Sequence, residues 1–149
     1  MAKRILVPLD AAVQAETVIE AVAALARGAG ATIRLLHVAP TPDNVVDDEG
    51  RILAYADQEG ERLEIEALDH LRKAAAVTGD GAVECAVRFG DPVREILEDA
   101  EAWEADLIAM ATRGRGSLSR VLLGSVAEQV FRRSAAPVML VRAAHERPA

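Results

Sequence analysis

Asp106-Leu-Ile-Ala-Met-Ala111 runs directly into Thr112-Arg-Gly-Arg-Gly-Ser-Leu-Ser-Arg-Val-Leu-Leu-Gly-Ser125. The first run is apolar, short and bounded by turn residues, which predicts a strand buried on both faces. The second is a loop rich in glycine, arginine and serine. A helix is expected from Val126 to about Arg133, and Pro137-Val-Met-Leu-Val141 reads as another strand. Strand, loop, helix and strand in that order make a βαβ unit, whose two strands must be parallel.

The same alternation extends toward the N-terminus. Arg4-Ile-Leu-Val-Pro-Leu9 is a buried strand, and Val13 to Ala26 follows with helical spacing at Val18, Val22, Leu25 and Ala26. Gly28 and Gly30 are expected to stop that helix. Ile33 to Val38 is the second strand. Pro40 and Pro42 then break the chain into an acidic surface loop reaching about Gly50, with Asp43 to Glu49 (DNVVDDE) read as solvated. Arg51 to Val77 predicts one long helix with Leu63, Ala67, Leu68 and Leu71 on one stripe and Gly60 as its weak point; Thr78 to Gly81 is a turn. Val83 to Phe89 alternates, which suggests a sheet edge with one wet face. Asp91 as N-cap and Pro92 at the first helical position start a helix to about Trp103. The expected fold is α/β: a single-domain, doubly wound, five-stranded parallel sheet with helices on both faces. Residues 1–143 form the domain and 144–149 a charged tail.

The chain has 149 residues, enough for one domain that buries roughly 70% of its unfolded surface. Aromatics are scarce, so the core is built from Ala, Val, Leu and Ile. The formal charge of −7 argues against a general nucleic-acid binder and against an anionic membrane surface. No apolar run nears the ~20 residues that span a bilayer, and Asp10 ends the N-terminal apolar run too early for a signal sequence. A cytoplasmic protein is the expectation. Cys85, the single cysteine, takes the apolar phase of its strand and reads as a buried hydrophobe.

The glycine-rich loop poses the functional question. A Walker A loop needs a Gly-Lys pair, which is absent, and a Rossmann fingerprint needs glycines after the first strand, where Asp10-Ala11-Ala12 stands. The late loop still has the chemistry of an anion site. Gly114 and Gly116 let backbone N–H groups approach an anion, and Gly124-Ser125 precedes a helix N-terminus. From Arg113 to Arg133 there are five arginines and one acid, Glu128, a local excess of +4. The plainer reading is that Ser125 and Glu128 form a capping box and the glycines merely turn the chain. His37, His70 and His145 share no ligand spacing, so no histidine metal site is expected. Ser125 has no evident base, which argues against nucleophilic catalysis and leaves at most slow hydrolysis. Ser117 and Ser119 lie among arginines without a pattern that assigns them a role. Met110 reads as core that could also touch a base.

The segments ILVPLD, LLHV, FGDP, ADLIAMATRG and LLGSVAEQVFRRSAAPVMLV, in that order and over nearly the whole chain, resemble the universal stress protein family. The family's nucleotide motif, G-x2-G-x9-G-[ST], falls on Ala111, Gly114, Gly124 and Ser125. Ala111 stands at the motif's first glycine, and Ala11-Ala12 stands where the family often has Gly-Ser. The resemblance implies the strand order 3-2-1-4-5 and an adenine nucleotide, ATP or AMP, as ligand. It places backbone around Leu9 and Val38 at the adenine, with Pro8 and Met110 counted among the nucleotide-binding residues beside them. Asp10 would face the ribose or a nucleotide-bound Mg. Ala111, Arg113, Gly114, Arg115 and Gly116 would line ribose and phosphates, and Gly124, Ser125 and Val126 the terminal phosphates. In that order the last strand lies at an open edge, and Val138 to Val141 carry nothing that blunts it, so a homodimer is expected through it. Two functions follow: a stress-response protein whose nucleotide modulates stability or partner choice, or a nucleotide-free dimeric scaffold of the same fold, favoured by Ala11, Ala12 and Ala111.

Overall fold

Ile5, Leu6 and Val7 are almost wholly buried, because β1 (Arg4–Pro8) is the central strand of the sheet and is covered on both faces. The computed structural model describes residues 3–9, 15–79, 81–112 and 124–142. Within them the chain runs through α1 (Ala15–Ala29), β2 (Thr32–Ala39), a hairpin of β3 (Val45–Val46) and β4 (Ile52–Ala54), and α2 (Ala56–Ala75). It continues through β5 (Val83–Phe89), α3 (Pro92–Ala102), β6 (Leu107–Thr112), α4 (Ser125–Arg133) and β7 (Val138–Arg142). The main sheet has the order β5-β2-β1-β6-β7 and every pair in it is parallel. Counting only its own strands, that is the expected 3-2-1-4-5.

Alternate residues of each strand feed two cores. Ile5, Val7, Leu9, Ile33 and Leu35 pack with Val18 and Val22 of α1 and Leu71 of α2. Leu6, Leu36, Ile108 and Met110 pack with Val93 and Ile96 of α3 and Ala127 and Val130 of α4. Burial of such aliphatic side chains, at about 1.5–3 kcal/mol each, is the main force holding the two helical layers to the sheet.

Several local expectations are corrected. Helix α1 runs through Gly28, and the chain leaves it at Gly30, whose φ of 66° suits a residue without a Cβ. The acidic loop is solvated, as expected, but it is also regular: it forms the β3–β4 hairpin. Asp47 closes its turn, with Oδ1 accepting from Glu49 N at 2.9 Å and Arg51 N at 2.8 Å. The second hairpin strand therefore takes residues 52–54, and α2 begins at Ala56 rather than near Arg51. Gln58 Oε1 accepts from Tyr55 N at 3.1 Å at that helix start. Gly60 has a reason within α2, since a Cβ there would lie 3.3 Å from Pro42 Cγ of the preceding loop.

β5 is an edge strand, as its alternation suggests, but its polar face is only partly wet: Glu84 is exposed, whereas Arg88 is half-buried. It meets α3 through ion pairs. Asp99, 1% exposed, accepts from Arg34 Nε at 3.0 Å and Nη2 at 3.1 Å on β2, and from Arg88 Nε at 3.0 Å on β5. Arg88 Nη1 also reaches Glu95 at 2.9 Å, and Arg34 lies 5.7 Å from the centroid of Trp103. Burial works against the charged form of Arg88, yet its bonds to Glu95 and Asp99 outweigh this and hold the guanidinium above its ordinary pKa. Among the described residues no buried side-chain polar atom lacks a partner. Asp91 caps α3 as expected, accepting from Arg94 N at 3.0 Å, with Pro92 at the first helical position.

Candidate site at the carboxyl end of the sheet

In an open parallel sheet the strand order reverses at one point, and crossovers leave that point toward opposite faces, opening a crevice beyond the strand ends. Here the point lies between β1 and β6. The β1–β2 ladder spans five residue pairs, from Arg4–Thr32 to Pro8–Leu36. The β1–β6 ladder stops after Ile5–Leu107 and Leu6–Ile108. Pro8 accounts for the difference. Leu9 N donates to Leu36 O of β2 at 2.8 Å, so by alternation position 8 turns its backbone toward β6. Proline has no N–H to give there, and the two strands part.

Leu9 and Met110 line the two sides of this opening, but each side chain is only 7% exposed and belongs to a core cluster. What they offer a ligand is backbone. Ala111 packs partly against the α1-side core, while Thr112 is buried with its hydroxyl 3.5 Å from Val141 O. Pro8 and Val38 are half-buried at the ends of β1 and β2. Asp10, Ala11 and Ala12, and the loop carrying Arg113, Gly114, Arg115, Gly116, Ser117 and Ser119, lie outside the described residues.

The start of α4 departs from the expected capping box. Gly124, not Ser125, is the N-cap, in extended conformation (φ −63°, ψ 156°) and with no side-chain cap. Ser125 is exposed one position further in, as the first helical residue. Glu128 does not reach back: its carboxylate pairs with Arg132 at 2.7 Å, and its N–H closes the first helical bond on Gly124 O at 3.0 Å. The amides of Ser125, Val126 and Ala127 therefore have no side-chain partner among the described residues. Because α4 returns the chain from the end of β6 to the start of β7, its N-terminus stands at the carboxyl edge of the sheet. Those amides carry the positive end of the helix dipole.

His37, which sequence reasoning treated only as a failed metal ligand, has a partner here. Its Nδ1 lies 3.2 Å from Leu9 O. The apolar strand around it held no signal for this contact, since the partner is backbone on a neighbouring strand. Among the described residues no group of three His, Cys, Asp or Glu side chains could hold a metal, and no helix is long and apolar enough to cross a membrane.

The family model described as "Universal stress protein family" matches residues 1–142. The chain belongs to the universal stress protein family. A curated universal stress protein from Thermus aquaticus is 31% identical over 144 residues, covering 95% of this chain and all of the relative. Universal stress protein MJ0531 of Methanocaldococcus jannaschii is 39% identical over 84 residues, 55% of this chain and 49% of its own length, so that match spans about half of the relative. Among solved structures, that of MJ0577 superposes with a TM-score of 0.74 at 27% identity, covering 98% of this chain and 99% of that one. The Archaeoglobus fulgidus universal stress protein in complex with dAMP (TM-score 0.60, 22% identity, 93% and 96% covered) shares the fold. So does a universal stress protein in complex with cAMP (0.64, 20%, 96% and 98%).

Proposed function

We propose that this universal stress protein binds an adenine nucleotide, ATP or AMP, across the carboxyl ends of β1, β2 and β6. The observation that carries the reading is the uncapped N-terminus of α4. Among the described residues, three backbone amides at the carboxyl edge of the sheet have no side-chain partner, and the N-cap is a glycine that puts no side chain in front of them. Helix N-termini of this kind bind phosphate through amide hydrogens and the helix dipole together. The parting of β1 and β6 beyond Pro8 supplies space for a base beside backbone rather than side chains. That two family members of the same fold are complexed with dAMP and cAMP supports adenine as the base.

In this reading the base lies against backbone near Pro8, Leu9, Val38 and Met110. Ala111 and the segment Arg113 to Gly116 line the ribose and phosphates, and Gly124, Ser125 and Val126 hold the terminal phosphates. Asp10 faces the ribose or a nucleotide-bound Mg, whose chemistry would be charge neutralisation. Occupancy modulates stability or partner choice, with hydrolysis slow or absent.

Calorimetry and thermal unfolding test this. Nucleotide at about 100 Kd should stabilise the fold by roughly 2.7 kcal/mol. Gly124→Asp places a carboxylate on the same amides: the free protein should gain a few tenths of a kcal/mol as a capped helix, and phosphate-bearing ligands should lose most of their affinity. An absence of any shift with millimolar ATP, ADP or AMP, with or without Mg, would favour the dimeric scaffold.

The scaffold and the nucleotide protein share one further expectation, a homodimer through Val138–Val141. β7 pairs only with β6 among the described residues, so its outer edge is open, and Phe131 of α4 is 55% exposed. Sedimentation at micromolar concentration tests it; a monomer overturns it.

A further inference from the structure

We propose that His37 is a positioning residue: it occupies Leu9 O and so holds the β1–β2 ladder one rung short, leaving Val38 N–H open for the nucleotide base. This rests on the adenine reading above and assigns it a device.

Backbone groups along β2 alternate between its two neighbours. Leu36 O accepts from Leu9 N at 2.8 Å on the β1 side, whereas Ala39 O accepts from Gly90 N at 3.0 Å on the β5 side. Val38 therefore turns its N–H toward β1. In a regular parallel ladder the next rung would run from Val38 N to Leu9 O. The residue pairing instead ends at Pro8–Leu36, and Leu9 O receives the His37 ring at 3.2 Å. A carbonyl oxygen only accepts, so the proton must sit on Nδ1. Among the described residues Val38 N–H has no backbone acceptor. An amide donor left open at a sheet end beside a half-buried strand calls for an acceptor. A purine presents ring nitrogens as acceptors along its edge, in the plane where such an amide points. The second lone pair of Leu9 O would take an exocyclic amine next to it. That donor and acceptor pair selects an aminopurine over a 6-oxopurine.

Two variants decide it in the full chain. His37→Phe removes the donor, and His37→Asn restores a donor near the Nδ1 position. The first measurement needs no ligand: amide exchange at Val38 should be fast in the parent and in His37→Asn, and slowed in His37→Phe as the ladder closes onto Leu9 O. The second is affinity for adenosine, AMP and ATP. His37→Phe should weaken all three by about tenfold, the scale of one hydrogen bond, and His37→Asn should recover to within about twofold. Inosine should bind the parent at least tenfold more weakly than adenosine, and this preference should shrink in His37→Phe. Nitrogen-15 spectra of the parent should show the Nδ1–H tautomer. Equal affinity in His37→Phe, or a protected Val38 amide in the parent, overturns the proposal. A parent that binds no adenine compound overturns the nucleotide reading and, with it, the open amide's ligand; the exchange measurement then still decides whether His37 stops the ladder.

Discussion

Asp99→Asn should destabilise the protein by about 3 kcal/mol. The carboxylate is almost fully enclosed and takes two bonds from Arg34 and one from Arg88, at 3.0–3.1 Å. An amide has one acceptor oxygen, so its NH2 group must face at least one guanidinium N–H, donor against donor. Each charge-assisted bond is worth roughly 1.5–3 kcal/mol when deleted, and a fully buried broken pair costs about 3–5 kcal/mol. Both guanidinium side chains keep some water contact, at 24% and 28% exposure, and Glu84 and Glu95 remain beside them. Solvent and these partners discount the loss to the lower end of that range. For a chain of this length the loss corresponds to a fall in Tm of roughly 6–12 °C. Urea unfolding should show a lower midpoint at unchanged m, because the same surface is exposed. A double-mutant cycle with Arg34→Met should return a coupling above about 1 kcal/mol. A loss under about 1 kcal/mol for Asp99→Asn would mean that the network only decorates the α3 layer, and that apolar packing from Val93 and Ile96 alone holds it.

Ser125→Ala should change stability by less than about 0.5 kcal/mol, since the serine is exposed at the first helical position and caps nothing; a loss near the ~1 kcal/mol of a true N-cap, measured by urea unfolding, would restore the capping box. Gly90→Ala should cost about 1–3 kcal/mol, because φ is 133° and the new Cβ would lie 3.1 Å from Glu95 Oε1; thermal unfolding checks it. Burial pushes the Cys85 thiol up, with Arg72 partly opposing, so the folded state favours the neutral thiol. Its stabilisation is complete below the unfolded thiol's pKa of about 8.5 and is lost as pH rises through the higher folded value, a decline that Cys85→Ala should remove from alkaline unfolding curves.

The sheet was legible because its inner strands are buried on both faces, and a short apolar run such as Ile5-Leu6-Val7 or Ile108-Ala109-Met110 has few other uses. Alternation of strands and helices makes the sheet parallel, but its order, 3-2-1-4-5, came with the family resemblance. What escaped reading depended on contacts between segments distant in the chain. Arg88 looks like part of a solvated strand face until Asp99 arrives from α3. Val45, Val46 and Ile52 are too few to announce a hairpin, whose strands are held by an aspartate turn. The Ser125–Glu128 spacing fits a capping box, yet the chain enters the helix one residue earlier and Glu128 finds Arg132. The His37 contact needs knowledge of where Leu9 O lies, which no periodicity encodes.

The central strand is also the first to be made. β1 joins β2 with a separation of some tens of residues, but its other edge is satisfied only by β6; the bond from Arg4 N to Asp106 Oδ2 closes a span of 102 residues. While the chain emerges from the ribosome, at roughly 5–20 residues per second, β1 stands as an apolar edge for several seconds after β2 and α1 have formed. Such an edge is a template for pairing with other chains. Synthesis therefore passes through an interval in which the half-built sheet exposes the strand that will later be its most protected. Overexpression at high temperature, which crowds these nascent edges together, should lose protein to aggregates during translation even where the finished fold is stable.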